Sequence, residues 1–273
     1  MDAKTTAAFV HIPKTGGTTI KFILRNSTFL RHCDLLPLKP HGISTPRDVA
    51  FMKKIYFFGL NSIAGHSLRP WLTDDSLSIE FFTMMRDPLQ RCLSHYQHVR
   101  RSRQRQGGDI TFEEFLRTEK FNDCQVRHIA GCADVDKAKQ YLRERFFFVG
   151  LVERFAESMH VLKKLFVHPL NIEYQPLHVA GDDSTKQEVL ESDASREMLL
   201  EANRRDMELY AFVRDELYPA FRARAGITDF DTDARPPRPS PWPVRYRLTR
   251  WYSHGFYRTA NKIRRFINRS GAA

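Results

Sequence analysis

Long hydrophobic runs are missing from this 273-residue sequence. None comes near the roughly 18 consecutive apolar residues that carry a helix across a bilayer, so no membrane-spanning segment is expected. The N-terminus lacks a basic stretch followed by an apolar one, so no secretory signal is expected and the sequence reads as cytoplasmic. Cysteine is scarce. Cys33, Cys92, Cys124 and Cys132 show none of the paired spacings of a zinc site and read as buried thiols rather than a disulfide framework. There is no internal repeat, which excludes a solenoid. Acidic residues vanish from Arg235 onward, where ten Lys or Arg occur with no Asp or Glu, whereas the rest of the chain holds 33 basic and 32 acidic residues. The formal net charge of +11 therefore belongs to a tail, and the body is not expected to bind nucleic acid.

What is present is concentrated near the start. Ala7 to Ile12 form a short apolar run that reads as a buried strand. Pro13, Lys14, Thr15, Gly16, Gly17, Thr18 and Thr19 follow at once, and Ile20, Phe22, Ile23 and Leu24 then begin a helical pattern. Strand, Gly-rich loop and helix is a geometry that binds phosphate-like anions, because first-turn N–H groups have no internal acceptors and the helix dipole is positive there. Gly16 and Gly17 permit close backbone approach, Lys14 adds a mobile charge, and the Thr hydroxyls add donors. A nucleotide-triphosphatase loop places its Lys after the last Gly. Here Lys14 precedes the Gly pair, so that pattern fails. Taken alone, the loop could still be a tight turn with a solvent-facing Lys.

Further along, Ile55–Leu60 and Ser62–His66 are candidate strands, with the Gly65-His66 pair at the end of the second. Ile79 to Met85 is a clear strand ending in Arg86-Asp87-Pro88, where Asp87 suits an N-cap and Pro88 a first helical turn. That helix is predicted to reach about residue 103, with Ser94 eight residues after Arg86. An Arg at a strand end offers a planar fork of donors to a phosphate. Residues 31–54 read as loop and short helix, and 100–109 as either a solvated basic helix end or a basic rim. Thr111 to Glu114 reads as a capping box. Helices are predicted over 136–144 and 153–166, with a buried strand over 146–151 between them. Residues 171–186 read as loop with a turn at 181–184, and 194–224 as one long helix that serves as scaffold.

Pro13 to Thr19 resembles the 5′-phosphosulfate loop of sulfotransferases that use 3′-phosphoadenosine 5′-phosphosulfate (PAPS). Arg86-Asp87-Pro88 with Ser94 is similar to the 3′-phosphate site of the same family, in the family's order. The Gly-His pair resembles the segment carrying the catalytic base in heparan sulfate 2-O-sulfotransferases and their bacterial relatives, which have a second His two residues earlier, where this chain has Ala64. Asn122 to Gly131 resembles the family's Asn-x-Gln-x-Arg-x-x-Ala-Gly helix, with one extra residue after Asn. The resemblance covers about residues 7–220 and implies an α/β fold with a P-loop-like central parallel sheet flanked by helices. It implies sulfuryl transfer from PAPS to a hydroxyl of a carbohydrate or glycolipid, with His66 as base and Lys14 stabilising the leaving phosphate. Residues 13–19, Arg86 and Ser94 would hold the nucleotide, Gln125 and Arg127 would lie beside nucleotide and acceptor, and no metal is called for. The competing readings are an ATP-dependent phosphotransferase and a non-catalytic binder of anionic glycans or membranes.

Three regions are expected: a sulfotransferase domain over 1–234, a Pro-rich linker over 235–243, and a basic amphipathic helical tail over 244–273. On a helical wheel Val244, Leu248, Trp251, Tyr252, Thr259, Ile263, Phe266 and Ile267 gather on one broad side, with Arg247, Arg250, Arg258, Arg264 and Arg265 mostly on the other. Such a tail fits peripheral contact with an anionic membrane at the inner face, through residues 244–269, or a helix packed on the body.

Overall fold

The computed structural model describes residues 5–36, 42–55, 59–71, 78–174, 184–230 and 244–252, with a few isolated residues beyond. In chain order the elements are β1 (Thr6–Val10), α1 (Gly17–Thr28), β2 (His32–Asp34), α2 (Pro46–Ile55), β3 (Ser62–Gly65), β4 (Ile79–Met85) and α3 (Pro88–Gln104). There follow α4 (Phe112–Leu116), α5 (Cys124–Ala130), α6 (Val135–Arg145), β5 (Phe146–Leu151), α7 (Phe155–Leu165), α8 (Ser184–Glu191), α9 (Asp193–Glu201), α10 (Arg204–Phe212), α11 (Tyr218–Arg224) and α12 (Val244–Tyr252). The five strands make one parallel sheet in the order β2-β3-β1-β4-β5. This is the expected α/β architecture.

β1 is the centre of the sheet and is wholly buried. Helices cover both faces, so its sequence runs apolar without alternation. Its two neighbours lead away in opposite directions: the connection after β1 runs to the β2 edge and that after β4 to the β5 edge. Parallel sheets bind ligands at the carboxyl ends of strands where connections diverge. Register fixes what emerges there. Val10 pairs with both Gly65 and Thr83, so His11 and His66 leave the sheet side by side, and Arg86 leaves β4 slightly beyond them.

Several expectations need correction. Ile55 ends α2 instead of starting a strand; residues 56–58 lie outside the described residues, and Gly59 and Leu60 are not in a strand. Residues 31–54 include the edge strand β2. A 3-10 turn over Val152–Arg154 precedes α7. Ser184 starts a helix, while residues 181–183 and the linker 235–243 are outside the described residues. The long C-terminal helix is broken at Ala202 and Asn203. There the Ala202 carbonyl accepts the Asp123 N–H (2.8 Å), and the Asp123 carboxylate accepts the N–H groups of Arg205 (2.9 Å) and Asp206 (3.1 Å). A carboxylate from another helix thus caps α10. Pro219 is tolerated because Val213–Leu217 widens to a π turn just before α11, which relieves the clash of the ring with a preceding carbonyl.

Two apolar clusters divide the work. The larger encloses the sheet; the smaller joins Leu93, Tyr96, Phe112, Phe115, Val189 and Leu199 from α3, α4, α8 and α9. The smaller one anchors the helix that carries Ser94. α12 packs on α1 through Tyr246, whose ring lies 4.9 Å from that of Phe22 and whose hydroxyl accepts a hydrogen bond from Arg25 (3.2 Å).

Candidate active site

The loop after β1 stores conformational strain. Lys14 has φ 71°, in the left-handed region, and so does Gly16 at 75°. A non-glycine residue there costs on the order of 1 kcal/mol and is held by its surroundings. Gly16 is the N-cap of α1; no side chain caps this helix, and its first turn holds no acidic residue. The Thr19 N–H donates to the Gly16 carbonyl (3.0 Å), which leaves the N–H groups of Gly17 and Thr18 as the first-turn donors turned to the loop. Gly17 is required for a different reason: a Cβ there would overlap the His11 imidazole. The Thr15 side chain is buried, and its hydroxyl donates to the Ile12 carbonyl (2.9 Å). It braces the loop, so the hydroxyls of Thr18 and Thr19 are the ones left to face a ligand.

Arg86 reaches back over this loop, its Nη1 donating to the Lys14 carbonyl (3.3 Å). Burial lowers the pKa of both cations, and Lys14 is pushed further down by Arg86, Arg101 and Lys186. Positive charge thus accumulates around the loop. A cavity of about 590 Å³ is lined by Lys14, Gly16, Gly17, Thr18, Thr19, Arg86, Ser94 and His66, together with His11, Pro13, His95, His98 and Val152. The predicted loop, the Arg86–Ser94 pair and His66 all border this one space; Thr15 supports it from beneath.

His66 sits at its edge. Its Nδ1 donates to the His11 carbonyl (2.8 Å), which leaves Nε2 as the neutral, proton-accepting nitrogen. Its ring stacks on His11 at 3.8 Å between centroids. Although His66 reaches solvent, the surrounding protein desolvates the imidazolium and holds its pKa below the ordinary value, against the opposing bond to His11. His11 is more deeply buried, and burial followed by proximity to His66 keeps it well below that value. A second cavity of about 730 Å³ shares Pro13, His66 and His95 with the first and is lined also by Lys21, Asp34, Arg69, Lys120, Arg127 and His128.

The last two sequence candidates separate here. Gln125 is fully buried. Its Oε1 accepts the Arg86 N–H (3.1 Å) and its Nε2 donates to the Arg86 carbonyl (2.9 Å), so it holds the Arg86 backbone. Gln125 is held in turn by Asp206, which accepts the N–H groups of Gln125 (3.0 Å) and Val126 (2.8 Å). Arg127 lines the second cavity, with Nη2 donating to Glu119 (2.6 Å). His11 and His95 carry no role in the sequence reading. His11 could have been noticed as the residue at the strand's carboxyl end; His95 shows no signal beyond a place one residue after Ser94. Burial lowers the pKa of His95 to about 3. Asp34, bonded to the buried Arg25, lines the second cavity. Burial alone would raise the Asp34 pKa, but its bond to His32 and the charges of His32, Arg25 and Lys21 hold it far below the usual carboxylate range. Among the described residues, no group of three or more His, Cys, Asp or Glu side chains is placed to hold a metal ion.

The sequence matches the model of the sulfotransferase family over residues 1–213. No curated protein matches the chain. A crystal structure of a sulfotransferase from Alicyclobacillus acidocaldarius is similar at 16% identity and a TM-score of 0.39, covering 77% of this chain and 99% of that one.

Proposed function

Given that the chain belongs to the sulfotransferase family, we propose that it moves the sulfuryl group of PAPS to a hydroxyl of a carbohydrate or glycoconjugate. The observation that carries this reading is the single cavity bordered by the uncapped α1 N-terminus, Lys14, Arg86, Ser94 and His66. A nucleotide fits it with the 5′-phosphosulfate on the loop amides and Lys14, and the 3′-phosphate against Arg86 and Ser94. The second cavity, which shares His66 with the first, has the size for a sugar, and its Arg69 and Lys120 suit an acceptor carrying negative charge, Lys21 and Arg127 being matched by Asp34 and Glu119.

In the step itself, the acceptor oxygen forms a bond to sulfur while the bond from sulfur to the bridging phosphate oxygen breaks. The acceptor proton passes to His66 Nε2, whose tautomer the His11 carbonyl fixes in advance. The electron pair of the broken bond stays on adenosine 3′,5′-bisphosphate, where Lys14 and the loop amides meet the new charge. Those donors already stand in place, so little reorganisation accompanies the transfer.

Calorimetry separates this donor from ATP-like ones. Adenosine 3′,5′-bisphosphate should bind at least roughly ten-fold more tightly than ADP, the worth of one good charge-assisted contact. Equal affinities would reject Arg86 and Ser94 as readers of the 3′-phosphate. A panel of glycans and glycolipids with labelled PAPS then identifies the acceptor.

A further inference from the structure

Helix α12 has two faces of opposite character. At about 100° per residue, Tyr246 and Thr249 lie on one side, and Val244, Leu248 and Trp251 share a roughly 60° arc on the other. The first side docks. Tyr246 and Thr249 are buried, and the Thr249 hydroxyl donates to the Arg245 carbonyl (2.9 Å) and lies 3.3 Å from that of Arg25. The other side faces water, with Val244 71%, Leu248 45% and Trp251 73% exposed. Arg245 and Arg247, both exposed, flank this stripe on its two sides.

The fold gives no reason for a Trp, a Leu and a Val on the outside of a docked helix, since the contacts to α1 are made elsewhere. Charge narrows the occupant: the chain from Arg235 onward holds ten cations and no anion. We infer that α12 seats on an anionic lipid surface, with Leu248 and Trp251 entering the boundary between headgroups and acyl chains and the flanking arginines meeting lipid phosphates. A hydrated polysaccharide would satisfy the arginines and leave the apolar stripe in water. A second copy of the chain would bring like charges together along both edges of the stripe. The seat also has an address. Arg25 bridges Tyr246 to Asp34, and Asp34 lines the second cavity. The lipid-facing helix is therefore tied to the wall of the space assigned to the acceptor.

Flotation of the full chain tests this apart from the transfer reaction. The chain should rise with vesicles of phosphatidylcholine and phosphatidylglycerol, not with phosphatidylcholine alone. The double variant Leu248→Ser, Trp251→Ser should partition roughly ten-fold or more weakly, in proportion to the apolar area lost, with an unchanged melting temperature because both side chains are exposed. Equal flotation of the variant would overturn the inference. So would a change of oligomeric state in the variant without vesicles, which would assign the stripe to self-association, or binding to soluble heparin that the variant loses while vesicles bind neither protein.

Discussion

Two side chains with opposite tasks dominate the cleft. His66→Ala should lower kcat for sulfuryl transfer by roughly 10²–10⁴, the usual worth of a positioned base, and Lys14→Ala by on the order of 10²–10³. Thermal melts of both variants should match the parent, because neither side chain packs in the core; retained turnover in His66→Ala would remove the base assignment. With the His66 pKa held below about 6.5, the base is neutral at pH 7. Activity should therefore fall on the acid side in a limb lying below pH 6.5 that His66→Ala abolishes. Gly17→Ala tests the ring beneath the loop: the added methyl meets His11, and calorimetry should show nucleotide affinity reduced at least roughly ten-fold as the loop shifts. At this scale the sequence was informative. Lys14, the glycines, His66 and Arg86 lie at strand ends and a helix start that local pattern reveals, and Ser94 lies inside α3. Gln125 shows what the sequence hides: an amide that bonds a backbone 39 residues away has the same local signature as one that bonds a ligand.

Among the elements, α5 matters most for its aim. Asp206 grips its first amides and Gln125 grips Arg86, so the helix sets the angle at which Arg86 enters the cleft. Gln125→Leu leaves the N–H and C=O of Arg86 without partners. It should cost about 1–3 kcal/mol in denaturant unfolding and weaken adenosine 3′,5′-bisphosphate binding, with kcat at saturating PAPS nearly unchanged. An equal fall in kcat would mean that Gln125 serves the reaction directly. Legibility here followed burial on both faces. β1, β4 and β5 announce themselves as apolar runs. β2 is three residues, His32, Cys33 and Asp34, placed by pairing with β3 and by the bond from the His32 ring to Ser62 (2.8 Å), none of it local. The break before α10 was hidden for the same reason, since the carboxylate that makes it belongs to Asp123.

Across the whole molecule, several imidazoles are kept neutral. Burial holds His11, His32, His95 and His128 below the ordinary histidine pKa, so each takes up protons more readily when unfolded. The sign follows: stability is full above about pH 6.5 and drains as pH falls below it. Asp34, depressed by its cationic neighbours, adds a second loss below about pH 4. Urea midpoints measured from pH 7.5 to 4 should decline from about 6.5 downward; a flat profile would contradict the buried neutral rings. The two cavities carry one more consequence. They share Pro13, His66 and His95; with the donor in one and the acceptor in the other, as proposed, the incoming oxygen would meet sulfur opposite the departing one. A substrate whose sulfur is made stereogenic with oxygen isotopes should therefore yield product of inverted handedness, whatever the acceptor proves to be.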